Sequence, residues 1–296
     1  MDLKTYLAEK RELVDQALKT FMPKQEGPAF ELIMAMSYSL FAGGKRLRPI
    51  LCIASAEAVG GDGRDVLPVA CALEMIHTYS LIHDDLPAMD NDDMRRGKPT
   101  NHKVFGEALA ILAGDGLLTE AFSLISKAEL TKKIGAKNLQ QVMNLIATAA
   151  GSHGMVGGQA VDIQMERKEV DSSLVDFIHT HKTGALIAAS ASSGAILGGG
   201  SKQQVEDITI YGNKIGLAFQ ISDDILDIEG DGEVMGKGVH GDARKGKMTY
   251  PSAHGLQRSK EILEELIDLA ISSLKGFDLR AAPLRDIARY IIERKR

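Results

Sequence analysis

The chain has 296 residues, with 35 Lys and Arg against 40 Asp and Glu, and a formal net charge of −5. A hydrophobic share of 44% beside 25% charged residues is an ordinary globular composition that can fill a sizeable core, and it excludes a disordered chain or a collagen-like repeat. Mild acidity argues against neutralisation of a phosphate backbone, so no nucleic-acid partner is expected.

Leu3, Leu7, Val14, Leu18 and Phe21 recur at three- and four-residue steps or their sums, predicting an amphipathic helix over 2–21 that Pro23 stops. The same N-terminal stretch carries charges every few residues and lacks the apolar core of a secretory leader, so a cytoplasmic protein is expected. Further helices are predicted over 28–41, 49–59, 65–84, 103–128, 135–150, 152–166, 172–197, 202–228, 256–274 and 283–294. Gly-Gly and Gly-Pro punctuation separates many of them. No stretch alternates with a period of two over a strand's length, so the expected fold is all-α. No composition break divides the chain, which predicts a single domain over 1–296. Thr183 to Gly200 is rich in Ala, Ser and Gly, which suits a closely packed internal helix and not stable membrane insertion. Cys52 and Cys71 lie in apolar runs without a CxxC pair and read as buried thiols.

Chemistry concentrates in two places. Residues 84–96 read DDLPAMDNDDMRR. Pro87 cannot continue the preceding helix, so Asp84 and Asp85 close it and Asp90 lies on the next turn, able to curl back. Like charges at a helix C-terminus repel one another and oppose the macrodipole, so a cation absent from the chain is implied. Hard oxygen ligands at an irregular helix end suit Mg²⁺. A solvated acidic loop is the plainer explanation of such a run, but Ile76, Leu81, Ile82 and Leu86 hold this one against a core. The second place is Asp223, Asp224 and Asp227, whose spacings of three and four residues put all three carboxylates on one helical face beside apolar neighbours. Two such clusters suggest opposed walls of one metal-filled cavity.

Basic residues answer the aspartates: Lys45 and Arg48 at a helix start, Arg95 and Arg96 after the first cluster, Lys182 with Thr183, and Lys237 and Lys247 within and just beyond a Gly-rich stretch at 230–246. Arg46 and Lys245 read as surface charges, and His83, His153 and His179 as structural. A lone helical His77, seven residues before Asp84, would also be structural on spacing alone. No nucleophile elbow, zinc-protease helix, phosphate loop or dinucleotide fingerprint is present.

GGKRLRP, SLIHDDLPAMDNDDMRRGKPT, GMVGGQAVD, HKTGALI, FQISDDILD and GK followed by KMTYP, in this order from about residue 43 to 251, resemble the motif set of the trans-isoprenyl diphosphate synthases, bacterial farnesyl diphosphate synthase above all. The resemblance implies a single helical bundle of the isoprenoid synthase type around a central cavity. It implies a Mg²⁺-dependent, head-to-tail condensation of isopentenyl diphosphate with dimethylallyl or geranyl diphosphate, giving a C15 product, with a geranylgeranyl (C20) synthase as the alternative. It assigns Asp84, Asp85, Asp90, Asp223, Asp224 and Asp227 to two or three Mg²⁺ ions bridging the allylic diphosphate. Arg95, Lys182, Lys237 and Lys247 would grip that diphosphate, and Lys45, Arg48, His77 and Arg96 would take isopentenyl diphosphate. Thr183 and Gln220 would face the developing carbocation, and a homodimer is the family habit.

Residues 230–246 are the expected lid, since water must be kept from a carbocation. Tyr79 lies five residues before Asp84, roughly 7.5 Å along the helix at 1.5 Å per residue. A ring there, with Ser80 beside it, would close the floor of a hydrocarbon channel. That aromatic, together with the longer spacing over Leu86 to Met89, resembles farnesyl synthases. A non-catalytic subunit of a heteromeric synthase would be expected to lack some of these acids and bases, and a terpene cyclase would not need a second diphosphate pocket.

Overall fold

The structure, a computed structural model, describes residues 2–166, 168–229 and 247–293. It is built from helices, as the periodicity predicts, and resolves into two compact units. The first comprises the described residues up to Ile53 with Arg64–Met143; the second comprises Ala54–Gly63 and the described residues from Asn144 on.

The first unit begins with α1 (Leu3–Phe21), capped by the Asp2 carboxylate, which accepts from Thr5 N–H at 3.0 Å. Val14 and Leu18 on its apolar stripe are fully buried. α2 (Phe30–Leu40) and the start of α3 (Leu47–Ala58) follow. Pro68 occupies the first turn of α4 (Leu67–Asp84), where its missing N–H costs nothing. Every residue from Val69 to Ile76 on α4 is buried, and α6 (Glu107–Ile125) packs along it. A Cβ at Gly114 of α6 would lie 2.1 Å from the His83 ring, so this crossing requires glycine. α6 is long and apolar enough, by length and composition, to cross a membrane. Here its face of Ala110, Ala113, Gly114, Leu117 and Ala121 lies in the core.

The expected helix over 103–128 is divided. α5 (Asn101–Phe105) ends at Gly106, whose φ of +83° a β-carbon would oppose, and α6 starts beyond it. α7 (Ala128–Ile134), which periodicity did not separate, precedes α8 (Ala136–Ala150). A minimal ladder pairs β1 (Met94–Arg95) with β2 (Lys98–Pro99). Arg96 and Gly97 between them have φ of +53° and +75°, the signature of a type I′ turn.

In the second unit, α9 (Met155–Met165) precedes a continuous helical rod over the span predicted as 172–197. The rod is α10 (Ser172–Ile178), a π-helical turn (His179–Gly184) and α11 (Ala185–Leu197). Every residue from Leu186 to Leu197 is buried, as its small side chains suggested. α12 (Lys202–Glu229) packs against it through glycine: a Cβ at Gly212 or Gly216 would lie 2.9 Å from the Cα of Ala188 or Gly184. α13 (Tyr250–His254), not anticipated, is followed by α14 (Leu256–Ser273), a 3₁₀ turn (Leu279–Ala281) and α15 (Ala282–Glu293).

Candidate functional site

Each unit carries one aspartate cluster, and both clusters have the same internal division of labour. In the first, α4 ends at Asp84, and the chain curls back so that Asp90 N–H donates to Asp84 C=O at 2.8 Å. Asp84 and Asp90 stay half-buried, while Asp85 is 3% exposed. Arg95 Nε donates to both Asp85 oxygens at 2.8 Å, and its Nη2 stands 2.6 Å from Oδ1. Arg95 closes β1, immediately before the Arg96-Gly97 turn. Burial opposes the Arg95 charge, but the bonds and charge of Asp85 outweigh it and hold the guanidinium above its usual range.

The basic loop before α3 belongs to the same unit. Gly43, Gly44 and Arg46 all take left-handed backbone conformations, with φ of +93°, +131° and +51°. Arg96 donates to Gly43 C=O, and a Cβ at Gly44 would meet the Arg96 guanidinium at 2.7 Å. Arg46, expected at the surface, is instead buried in a fork to Asp15 and Glu74. His77 on α4 is held well below the ordinary imidazole value, first by burial and then by the charges of Arg48, Arg96, Arg95 and Arg46. Lys45 is exposed and Arg48 half-buried. Tyr79 is buried, and burial and the charge of Asp84 raise its hydroxyl. Ser80 bonds back to His77 C=O at 2.9 Å.

In the second unit Asp223 and Asp227 are half-buried on α12, and Asp224 is 2% exposed. Asp224 accepts from Gln220 Nε2 at 3.0 Å and Tyr250 N–H at 2.9 Å, and pairs with His179 Nε2 at 2.6 Å. Gln220 Oε1 in turn accepts from Thr183 Oγ1 at 2.9 Å. The π turn presents His179, Lys182 and Thr183, and Lys182 Nζ bonds Asp162 at 2.6 Å. Glycine permits the approach of α9: a Cβ at Gly158 would lie 2.3 Å from the backbone N of Lys182. Tyr250 OH donates to Asp176, and its phenol is raised by burial, by Asp176 and by the Asp224 charge. A cavity of about 120 Å³ is lined by Asp162, Lys182, Thr183, Gln220, Asp224 and Lys247, among others.

Lys237, Lys245 and the lid expected at 230–246 lie outside the described residues. Sequence reading missed Arg46 as a buried hub, His179 and Tyr250 as partners of Asp224, and Asp162 as the partner of Lys182. Asp162 lies inside the quoted GMVGGQAVD segment, so a signal for it existed. The other three contacts cross many residues and leave no spacing to read. Among the described residues no three His, Cys, Asp or Glu side chains stand close enough to hold a metal ion by themselves.

The sequence profile of the polyprenyl synthetase family matches residues 30–275. Over 294 residues the chain is 48% identical to the farnesyl diphosphate synthase of Geobacillus stearothermophilus, covering 99% of this chain and 98% of that one. Over 295 residues it is 48% identical to the geranylgeranyl diphosphate synthase of Cyanophora paradoxa, covering 99% and 97%. Among solved structures, an FPP/GFPP synthase from Zymomonas mobilis matches with a TM-score of 0.87 at 38% identity, covering 98% of each chain. The geranylgeranyl pyrophosphate synthetase of Pyrococcus horikoshii matches with a TM-score of 0.90 at 32% identity, covering 98% of this chain and 99% of that one. With a family match over most of the chain and relatives aligned almost end to end, the protein belongs to the polyprenyl synthetase family and is a prenyltransferase.

Proposed function

We propose that the protein condenses isopentenyl diphosphate with dimethylallyl and then geranyl diphosphate, head to tail, to give farnesyl diphosphate and inorganic diphosphate. The observation that carries this reading is the repeated build of the two clusters. Each has one buried aspartate tied to protein donors, Asp85 or Asp224, beside half-buried carboxylates, Asp84 and Asp90 or Asp223 and Asp227. Such hard oxygen donors, too few for a closed cage, would suit Mg²⁺, which prefers a small number of carboxylates. When bound, Mg²⁺ offsets the negative charge that develops on a departing diphosphate.

The protein's own groups divide the remaining tasks. In the first unit Lys45, Arg48, Arg96 and His77 take the diphosphate of isopentenyl diphosphate, and Arg95 both braces Asp85 and adds positive charge for the allylic diphosphate. In the second, Lys182 and Lys247 serve the allylic diphosphate, with Lys237 assigned the same role. The Thr183 and Gln220 oxygens, linked at 2.9 Å, present lone pairs to the allylic cation. The isopentenyl double bond attacks that cation, and the proton lost afterwards passes to the departed diphosphate. Asp85 and Asp224 stay among the carboxylates assigned to Mg²⁺, and their bonds to Arg95 and to Gln220, His179 and Tyr250 also hold those neighbours in place.

Tyr79 supports a C15 product, because a buried ring close to the Asp84 charge is placed to close a hydrocarbon path along α4. A C20 product is the second reading, favoured by similarity to geranylgeranyl synthases at the same identity as to a farnesyl synthase. Ile111 and Leu112, apolar and exposed on α6, support a homodimer. Purified protein with Mg²⁺, dimethylallyl diphosphate and labelled isopentenyl diphosphate is expected to yield farnesyl diphosphate, and chelation with EDTA to stop it. A mainly C20 product would select the second reading, and absence of any Mg²⁺-dependent elongation would overturn both.

A further inference from the structure

Arg46 sits between two residues assigned to the isopentenyl diphosphate pocket, yet its own side chain turns inward and is 3% exposed. Its guanidinium uses three nitrogens on three partners. Nε donates to Asp15 Oδ1 on α1 at 2.8 Å, Nη1 to Glu74 Oε1 on α4 at 2.8 Å, and Nη2 to the C=O of Leu40, the last residue of α2, at 2.7 Å. One positive charge facing two carboxylates leaves no surplus for a phosphate, so Arg46 is not itself an anion ligand.

We propose that Arg46 is a positioning residue that builds the isopentenyl diphosphate pocket by locking the Gly43–Arg46 loop, and with it the first turn of α3, onto α4; this rests on the function proposed above. The loop needs an anchor. Gly43, Gly44 and Arg46 all have positive φ, a combination that local sterics do not favour and that two glycines leave free to adopt many other conformations in the unfolded chain. Glu74 supplies the fixed end: it is buried on α4, three residues before His77, and so lies on the same side of the helix one turn away. The Arg46–Glu74 bond therefore sets the loop carrying Lys45, and the first turn of α3 carrying Arg48, against the helical face carrying His77. The reach of the Arg48, Arg96 and Arg46 charges to His77 agrees with that placement. Lysine cannot replace this anchor, because a single ammonium cannot span three directions in the fixed plane of a guanidinium.

The test compares wild type with Arg46→Lys, Glu74→Gln and Asp15→Asn, each checked by thermal melting. Steady-state kinetics give the KM for isopentenyl and for geranyl diphosphate, and calorimetry gives isopentenyl diphosphate binding without turnover. Arg46→Lys and Glu74→Gln are expected to raise the isopentenyl diphosphate KM and weaken its binding about tenfold, with the geranyl diphosphate KM changed less than about twofold. Asp15 is the more exposed partner, its side chain 36% accessible. Its Asn variant is expected to fold even where the buried variants do not, and to shift isopentenyl diphosphate binding in the same direction by about threefold.

An unchanged isopentenyl diphosphate KM in folded variants, or a parallel rise of both KM values, would overturn the proposal. Wild type that binds isopentenyl diphosphate but elongates nothing would defeat the proposed reaction while the variants still decide the role of Arg46. Wild type that does neither defeats both.

Discussion

In the first unit Asp85 is held by Arg95, ten residues further along the same motif. In the second, Asp224 is held by Gln220 one turn earlier, by His179 from the π turn and by the backbone N–H of Tyr250. The first arrangement carries its own countercharge, supplied within the ten residues that curl back from the end of α4. The second is assembled from three elements, and the contact of Gly216 with Gly184 lets α12 and the π turn come close enough. Chemically similar carboxylates can thus be fixed either by a short local loop or by tertiary packing.

The half-buried aspartates should behave alike in spite of that difference. Asp84→Asn and Asp223→Asn are each expected to lower kcat by about 10²–10³-fold in a Mg²⁺-dependent elongation assay; a large loss at one and none at the other would break the parallel between the clusters. Chain-length control, in contrast, should belong to the first cluster alone. Tyr79→Ala is expected to lengthen the product beyond C15 on chromatography and to cost about 3 kcal/mol of stability, whereas Thr183→Ala should slow turnover without changing product length. Unchanged C15 output from Tyr79→Ala would remove the floor assignment.

The buried aspartates sharpen the comparison further. Asp85→Asn and Asp224→Asn should each destabilise the fold by about 2 kcal/mol in denaturant titrations. The Asp85 deficit should shrink on raising the salt, because Arg95 is partly exposed, while the deficit at Asp224 should not. The smallest effect concerns His77. Its folded-state value is depressed, so below the unfolded value of about 6.5 the unfolded chain binds a proton that the folded chain does not, and stability falls as pH drops. Relative to His77→Asn, wild type should lose about 2 °C in Tm between neutral and mildly acid pH.

Much of this was legible in the residues. Pro87 stops α4 beside Asp84, and the pattern placed Asp90 where it can curl back; the structure adds the 2.8 Å bond. Helical spacing put Asp223, Asp224 and Asp227 within about one turn of one another, and the structure turns Asp224 inward while leaving Asp223 and Asp227 half-buried; the Ala-Ser-Gly run over Thr183 to Gly200 announced a tightly packed helix. Other features were not legible. A π turn has the same hydrophobic spacing as the α-helix on either side of it. Gly106 looks like any helical glycine until its φ is known. Arg46 stands among arginines and lysines and differs from them only in what surrounds it.

What the sequence determined by itself is whatever physics acts within a turn or two of chain: helix spans, their stops, and the crowding of carboxylates at two places. Tertiary structure decided which charges are buried and which donors hold them. Arg46 meets Asp15 and Glu74 across 31 and 28 residues, Lys182 meets Asp162 across 20, and His179 meets Asp224 across 45. At those separations no periodicity links the partners. Only the packing of helices brings them within hydrogen-bonding distance, for Lys182 and His179 with glycine set against backbone.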